Sequence, residues 1–392
     1  MMQIMRGNEA TALAAKLCRP NVIPAYPITP STMFPERISE YVADGELDAY
    51  FLLAESEHSA MSAAIGASAT GARVCTATAS QGLALMHEML FIAAGMRLPI
   101  VMAVGNRALS APINIWCDHQ DSISERDAGW IHFYAENNQE CIDFMIMAFK
   151  VGEDKRVYLP ALVGLDAFVL THTMEPVDVP EQEKVDRFLP NYEPHCILDP
   201  KNPMTIGALG TPEYYMETRY ALQKALMDSS AVIDEVFRQF GEAFGRNYQR
   251  VASYKTADAE TVIISMGSMT GTARVAVDGM RAAGKKVGLI KISVLRPFPH
   301  RELKEAIGNA KTVAVAERAI SLGYGGPIYA ELAGHFVNDA KRPFLTSFVL
   351  GLGGRDILPE HFEEIVAKSE KALAAGKMEE MPGWPGLNRE VL

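Results

Sequence analysis

The chain has 392 residues, of which 48% are hydrophobic and 22% are charged, and its formal net charge is -11. The length and the composition predict a globular protein with two domains rather than one. The negative charge, without any block of like charge, argues against nucleic acid or an anionic membrane as a partner, and no apolar run is long enough to enter a bilayer.

The cysteines predict a reducing, cytoplasmic setting. There are five of them, far apart along the chain, and none forms a C-x-x-C pair. We therefore expect buried thiols and no disulfide framework, and neither an iron–sulfur cluster nor a structural zinc site made by this chain alone. The amino terminus has no apolar stretch after its basic residue, so we expect no signal peptide.

The first part of the chain alternates helices with short buried strands. The helices are predicted in "GNEATALAAKLCRP", "EHSAMSAAIGASATG" and "QGLALMHEMLFIAAGM", the last as one long helix. The strands are predicted in "VIPAYP", "DAYFLLAES", "ARVCTATAS" and "LPIVMAVG". This alternation is typical of an α/β fold with a parallel sheet.

Each of these strands runs into a polar or glycine-containing loop at its carboxyl end. The loops are "YPITPST", "AESEHS", "TASQG" and "GNRALSAP". Ligands of open α/β sheets bind outside the carboxyl ends of the strands. The loops are therefore the predicted location of a binding site.

The rest of the chain divides into three parts. A proline-rich excursion covers about 174–215, and a helical stretch follows from Met216 to about Tyr248. A second α/β unit begins between Tyr254 and Glu260, with "KVGLIKISVL" as one of its strands. We thus predict a first domain over 1–240 and a second over 255–392.

Two charged residues in the loops are candidates for chemistry. Glu57 stands at a strand-to-helix junction, where a carboxylate usually caps the helix; its neighbours Glu55 and His58 and the small residues behind it favour a functional role. Arg107 follows a buried strand, and its guanidinium suits a carboxylate or phosphate ligand. The alternative for Arg107 is an ion pair with a nearby acid.

Three other motifs give weaker indications. In "CDHQDS" the C-x-H-x-D spacing is too cramped for a usual zinc site, so a polar loop over a pocket is favoured and no metal is expected. "SMGSMTG" resembles a phosphate-binding turn but does not complete G-x-G-x-x-G, and "GYGGP" and "GLGG" indicate tight turns. From the residues alone we expect a ligand site built from Thr29, Glu57, Ser80 and Arg107, without a named reaction.

Several long motifs carry a family resemblance. "YPITPST", "AESEHSAMSAAIGASATGARVCTATASQGLALMHE" and "GNRALSAPINIWCDHQD" resemble the alpha subunit of the 2-oxoacid:ferredoxin oxidoreductases, in particular the pyruvate synthase type. The likeness continues through "VLRPFP" and "GLGGRD" in the second domain. It implies a pyrimidine-type thiamine diphosphate-binding domain with a parallel sheet, followed by an α/β domain like the carboxyl-terminal domain of transketolase.

The resemblance also implies roles for the loop residues. Glu57, chosen over Glu55, would hydrogen-bond N1′ of the aminopyrimidine and thereby help the cofactor to lose its C2 proton. Thr29 and Arg107 would bind the 2-oxoacid and its carboxylate. The two prolines of the first loop would fix it before the ligand arrives, which lowers the ordering cost of binding. The residues expected against the cofactor are Tyr26, Pro27, Ile28, Glu57, Ser80 and Gln81.

The implied reaction is the reversible oxidative decarboxylation of pyruvate with coenzyme A to acetyl-CoA and CO2. The chain lacks the Gly-Asp-Gly stretch that holds Mg2+ and diphosphate, and it lacks cysteine clusters. The resemblance therefore implies a beta subunit with Mg2+, a ferredoxin-like delta subunit with [4Fe-4S] clusters, a gamma subunit, and ferredoxin as acceptor. The alternatives are an aryl or branched 2-oxoacid such as phenylglyoxylate or 2-oxoisovalerate, a non-catalytic assembly subunit, and a transketolase-like enzyme without a redox partner.

Overall fold

Two mainly parallel β-sheets form the framework of the molecule, and the computed structural model describes all 392 residues. The elements of the first part are β1 Met2–Arg6, α1 Gly7–Leu17, β2 Val22–Ala25, α2 Met33–Ala43, β3 Tyr50–Leu53, α3 Glu57–Ala69, β4 Cys75–Thr78, α4 Ser80–Leu85, α5 His87–Gly95, β5 Val101–Asn106, α6 Gln120–Ser124, β6 Ile131–Tyr134, α7 Asn138–Gly152, β7 Ala161–Asp166, β8 Met174–Asp178, α8 Gln182–Phe188 and α9 Pro212–Phe244.

The second part contains ten further strands and helices. They are β9 Val251–Tyr254, β10 Thr261–Met266, α10 Met269–Ala282, β11 Val287–Ile292, β12 Val294–Arg296, α11 His300–Ile307, β13 Thr312–Glu317, α12 Pro327–Phe336, β14 Phe344–Val349 and, as the carboxyl-terminal helix, α13 Pro359–Ala375. No helix combines the length and the apolar composition that crossing a membrane requires.

The first sheet has the strand order β12-β6-β7-β5-β4, and the parallel pair β2-β3 continues it through a bridge between Val22 and Val74. β4, β5, β6 and β7 are parallel and entirely buried, because helices cover both faces. The helix α9 closes this core with Phe237 and Phe240, which pack against Phe144 and Phe188. The parallel arrangement brings the carboxyl ends of β2, β3, β4, β5 and β7 to one edge.

The second sheet has the order β14-β13-β10-β11-β9, with β9 antiparallel at one edge. Helices α10 and α13 pack on one face and α11 and α12 on the other. The fold is therefore α/β in both parts, as the alternation of strands and helices predicts.

Two predicted elements are wrong in detail. The segment "KVGLIKISVL" is not one strand: β11 ends at Ile292, and β12 leaves the second sheet to pair antiparallel with β6 of the first. The two sheets thus share one continuous stretch of chain. The predicted long helix after β4 is two helices, α4 and α5, which meet at Met86.

A buried carboxylate, Asp166 at the end of β7, joins the two parts of the molecule. It accepts hydrogen bonds from Arg318 Nη1 at 2.8 Å and from the Ser268 hydroxyl at 2.5 Å, and its Oδ1 lies 2.8 Å from His119 Nε2. Burial alone would raise the pKa of Asp166, but His119 and Arg318 hold it well below its usual range. The "SMGSMTG" turn, which resembles a phosphate-binding turn, binds this carboxylate instead.

Asp166→Asn should destabilise the protein by about 3 kcal/mol or more, because the substitution leaves the buried Arg318 guanidinium without its counter-charge. Urea unfolding monitored by circular dichroism would measure the effect. Asp228→Asn is the matched control, since Asp228 pairs with Lys224 on an exposed helix face and its loss should leave the unfolding midpoint unchanged. Equal midpoints for the two variants would contradict a structural role for the Asp166 pair.

Candidate functional site

The loop after β2 is fixed by hydrogen bonds to its backbone. Asn8 Nδ2 donates to the Pro30 carbonyl at 2.6 Å, and the Ser31 hydroxyl donates to the Ile28 carbonyl at 3.0 Å. Arg107 Nη1 donates to the Thr29 carbonyl at 2.9 Å. Thr29 itself is exposed at the surface of the loop. The chain therefore holds the loop in place and leaves its outer face free for a ligand.

The first helical residue of α3 is Glu57, and its side chain is only 6% exposed. The helix does not need it as a cap, because Ser56 Oγ accepts the Ser59 amide at 3.2 Å and exposed Glu55 accepts the Ser59 hydroxyl at 2.9 Å. The Glu57 carboxylate points towards Gly82, where a Cβ would lie 2.5 Å from its Oε1. The geometry thus separates the two glutamates into a buried one at the site and an exposed one at the helix end.

The wall opposite Glu57 is the turn from β4 into α4. Ser80 has a positive φ of 50°, a left-handed backbone conformation that costs energy for a residue with a side chain. Its hydroxyl lies 2.5 Å from the Ala108 carbonyl and 2.6 Å from Gln81 Oε1. Two buried polar atoms in this wall, Thr78 Oγ1 and Gln81 Nε2, have no hydrogen-bond partner. Such orphaned groups are rare in folded proteins and indicate a place where a polar ligand binds.

Arg107 provides a positive charge next to the first loop. Its guanidinium is 7% exposed and is held by two carbonyls, those of Thr29 and Asn114, the latter 2.9 Å from Nε. No carboxylate lies within ion-pair distance of it, so the structure does not support the alternative of an ion pair with a nearby acid. Burial lowers the pKa of Arg107, but a guanidinium remains charged. It is therefore available for an anionic ligand.

Asp121 connects the Ser80 turn to Arg107, a role that the sequence did not reveal. Its Oδ2 accepts the amides of Ser80 at 2.9 Å and of Arg107 at 3.0 Å. Its Oδ1 accepts Asn106 Nδ2 at 2.9 Å and the Ser122 amide at 2.7 Å. The predicted polar loop "CDHQDS" is thus a mostly buried segment that runs into α6, rather than a loop over a pocket.

A group of possible metal ligands lies beside this segment. Cys117, His119 and Asp166 could bring three ligand atoms within 4.8 Å of one another. Arg318 already donates a hydrogen bond to Asp166, and its positive charge would repel a metal ion. Burial raises the pKa of the Cys117 thiol well above its ordinary value, which also disfavours a thiolate ligand. The group is better explained as part of the junction around Asp166.

The structure brings most of the predicted site residues to one edge of the sheet. Arg107 is bonded to Thr29, Ser80 to Gln81, and Gly82 lies against Glu57. Tyr26 and Ile28 are half-buried on the first loop, and Pro27 is exposed. The solvent-facing part of this set is the first loop, because Glu57, Ser80 and Arg107 are buried.

The residues present fit the aminopyrimidine half of thiamine diphosphate. A buried carboxylate, a buried hydroxyl and a buried amide nitrogen without partners can together hydrogen-bond the ring nitrogens and the exocyclic amine of such a group. Gly82 leaves room for a flat ring, because any side chain there would collide with Glu57 and Thr78. The chain offers no comparable set of groups for the diphosphate and its metal ion at this edge.

We expect Asp121→Asn to change how stability depends on pH. Burial raises the pKa of Asp121 from 3.8 to about 6. Between about pH 4 and 6 the folded chain therefore binds one proton more at this residue than the unfolded chain does. As the pH rises through this window, the protein loses roughly 3 kcal/mol of stability. The asparagine variant lacks this proton. Its unfolding free energy, measured with urea at pH 4 and pH 7, should therefore fall less than that of the wild type; an identical fall would show that Asp121 titrates normally.

Two family models match the chain. Residues 13–238 match the thiamine diphosphate-binding domain of the pyruvate flavodoxin/ferredoxin oxidoreductases, and residues 259–362 match core domain II of pyruvate:ferredoxin oxidoreductase. Together the two models cover most of both α/β parts.

Characterised relatives match over the full length. The chain is 55% identical to pyruvate synthase subunit PorA of Pyrococcus abyssi over 99% of both chains. It is 50% identical to PorA of Methanothermobacter thermautotrophicus, over 100% of this chain and 99% of the relative. It is 46% identical to ketoisovalerate oxidoreductase subunit VorA of Pyrococcus abyssi, over 99% and 98%.

Solved structures share the fold at low sequence identity. A 2-oxoglutarate:ferredoxin oxidoreductase from Magnetococcus marinus matches with a TM-score of 0.68 at 20% identity, over 95% of this chain and 65% of that one. A split-gene transketolase, described as an inactive β4 tetramer, matches with a TM-score of 0.51 at 13% identity, over 95% and 99%. The full-length identity and the two family models show that the chain belongs to the pyruvate:ferredoxin oxidoreductase family.

Proposed function

We propose that this chain is the alpha subunit of a pyruvate:ferredoxin oxidoreductase, which converts pyruvate and coenzyme A to acetyl-CoA and CO2, reversibly, and passes the electrons to ferredoxin. The observation that carries this proposal is that buried Glu57 and Arg107 lie at the same edge of the sheet. Arg107 is a cation with no acid within ion-pair distance. In this proposal residues 1–240 form the cofactor domain and 255–392 the second domain.

Glu57 is the residue that we assign to the cofactor's aminopyrimidine. Thiamine diphosphate, when bound, supplies the carbon nucleophile and the electron sink of the reaction. Glu57 would hydrogen-bond N1′ of the ring, and its burial would keep water from weakening that bond. Ser80 and Gln81 form the opposite wall, and Tyr26, Pro27 and Ile28 form the side of the first loop that faces the cofactor.

Arg107 and Thr29 are the residues that we assign to the substrate. The guanidinium binds the carboxylate of the 2-oxoacid, and the exposed Thr29 hydroxyl reaches its oxo group or a neighbouring oxygen. Arg107 is the one cation that hydrogen-bonds the loop at Thr29. A single cation favours a 2-oxoacid with a small, uncharged side chain over a dicarboxylate.

The relatives favour pyruvate over a branched substrate. The chain is 50–55% identical to five PorA subunits of pyruvate synthases, 46% identical to two VorA subunits of ketoisovalerate oxidoreductases and 43% identical to PorA of Methanosarcina barkeri, all over 94% or more of each chain. A branched or aryl 2-oxoacid remains the second candidate, because the VorA relatives cover the same length.

The proposed reaction requires other chains, because this chain lacks a Gly-Asp-Gly stretch and cysteine clusters. We propose that a beta subunit supplies the groups for Mg2+ and diphosphate, that a ferredoxin-like delta subunit holds [4Fe-4S] clusters, and that a gamma subunit completes the complex. This is supported by the PorA relatives, whose names describe them as subunits. Coenzyme A is the acyl acceptor in this proposal, and the cytoplasmic location stays a prediction.

The test uses the complex recovered anaerobically from its native host with this chain tagged. We expect coenzyme A-dependent reduction of methyl viologen with pyruvate, and at least about tenfold lower kcat/KM with 2-oxoisovalerate or phenylglyoxylate, because their larger side chains would not fit a site that selects pyruvate. Preference for a bulkier acid would keep the reaction and overturn the substrate. Absence of activity with every 2-oxoacid, in a complex that contains thiamine and iron, would overturn the reaction.

Glu57→Gln should lower kcat by about a hundredfold or more while the complex still assembles, because glutamine cannot provide the charged hydrogen bond to the pyrimidine. Viologen reduction and deuterium exchange at C2 of the bound cofactor would measure the effect. Glu55→Gln is the matched control, an exposed glutamate two residues away that should change neither reading. Full activity of Glu57→Gln would favour the alternative of a non-catalytic assembly subunit.

A further inference from the structure

The glycine-rich turn at the end of β14 contacts the substrate side of the site. The Gly354 amide donates to the Cys117 carbonyl at 2.6 Å, and the Gly353 amide donates to Asp118 Oδ2 at 3.2 Å. The turn belongs to the second domain, whereas its partners follow Arg107 in the first. The "GLGG" motif is therefore more than a tight turn, because it holds the 107–118 loop from outside.

Asn114 connects this turn to Arg107. Its Nδ2 donates to the Gly353 carbonyl at 3.0 Å, and its Oδ1 accepts the Trp116 amide at 2.8 Å. Its own backbone carbonyl accepts Arg107 Nε at 2.9 Å. One residue thus takes part in three hydrogen bonds that link the second domain, the loop and the buried guanidinium.

The glycines of the turn allow this close approach. Gly353 has a φ of 59°, and a Cβ there would lie 2.6 Å from Asn114 Nδ2. Gly354 has a φ of 80°, and a Cβ there would lie 2.3 Å from the Cβ of Trp116. Both positions need glycine for the backbone angle and for space. Any side chain would push the turn away from the loop.

The anchoring matters because no carboxylate fixes the guanidinium of Arg107. Its orientation depends on two neutral carbonyls, of Thr29 and Asn114, which attract a cation less strongly than a carboxylate would. The Thr29 carbonyl belongs to a loop fixed from the first domain, and the Asn114 carbonyl to a loop fixed from the second. Loss of either support would let the side chain adopt other rotamers before the substrate binds.

We infer that Asn114, hydrogen-bonded to the Gly353 turn of the second domain, is a positioning residue that orients Arg107 for the carboxylate of the 2-oxoacid. This inference rests on the proposed function, in which Arg107 binds that carboxylate. It gives the second domain a part in substrate binding.

The test compares three variants of the assembled complex with the wild type. Asn114→Ala removes the side chain that hydrogen-bonds the Gly353 carbonyl. Gly353→Ala pushes the turn away from Asn114 and so breaks the same contact from the other side. The second variant keeps the test valid if the first fails to assemble. Each should raise the KM for pyruvate about tenfold and change kcat by less than about twofold, because binding is weakened and the chemical step is not. The double variant should show no more than the larger single effect, since both changes break the same link.

Arg107→Ala is the reference for the substrate role and should raise the KM more than either positioning variant. Gln120→Ala is the matched control: Gln120 Oε1 accepts the Ile320 amide at 3.0 Å, so it also crosses between the domains, but it does not contact the 107–114 loop. It should leave the KM at the wild-type value.

Each outcome supports or overturns the inference. An unchanged KM for Arg107→Ala would overturn the substrate role of Arg107 and this inference with it. A raised KM for Arg107→Ala beside a wild-type KM for Asn114→Ala and Gly353→Ala would overturn this inference alone. An equal rise in KM for Gln120→Ala would show that general loosening of the domains causes the effect, which also overturns it.

Discussion

The site depends on the neutralisation of one buried charge, that of Asp166. An ionised carboxylate in a protein interior is costly unless it is paired and hydrogen-bonded, and the partners of Asp166 come from both sides of the domain junction. His119 belongs to the first sheet's loops, while Ser268 and Arg318 follow strands of the second sheet. The charge therefore fixes how the two sheets meet, because rotation or sliding at the junction would separate it from Arg318 and Ser268.

The loop that carries the site lies directly on this junction. His119, held by Asp166 and through its amide by the Arg318 carbonyl, is two residues from Asp121, which accepts the amides of Ser80 and Arg107. The hydrogen bonds of His119 and Asp121 thus connect the domain junction to Ser80 and Arg107 on the two sides of the site. The strained backbone of Ser80 persists because Asp121 holds its amide, a common way in which surrounding structure maintains an unfavourable conformation at a functional site.

Local sequence patterns predict the elements well and the contacts between distant residues poorly. The strands β2 to β5 and the helices α1, α3 and α9 follow from short-range periodicity, and Glu57, Ser80 and Arg107 follow from their positions after strands. The pairing of β12 with β6 could not be predicted, because "KVGLIKISVL" has the same apolar pattern in one sheet or two. Asp121 and Asn114 escaped prediction for a related reason: their hydrogen-bond partners lie far away in the sequence, at Ser80 and Asn106 for Asp121 and at Gly353 for Asn114.

The unpartnered groups of the site leave its hydrogen bonding incomplete in the chain alone. Thr78 and Gln81 bury polar atoms without partners, and Arg107 buries a cation without an acid. The unpartnered atoms of Thr78 and Gln81 destabilise the isolated fold, since removing a polar group from water without a compensating hydrogen bond costs on the order of 1–3 kcal/mol, and Arg107 adds the cost of burying a charge without a counter-charge. A ligand that satisfies all of them recovers this energy on binding, without first displacing protein groups. In the proposed function, the same residues that weaken the isolated fold favour the cofactor and the substrate, and the contacts of Asp121 and Asn114 hold these residues in place.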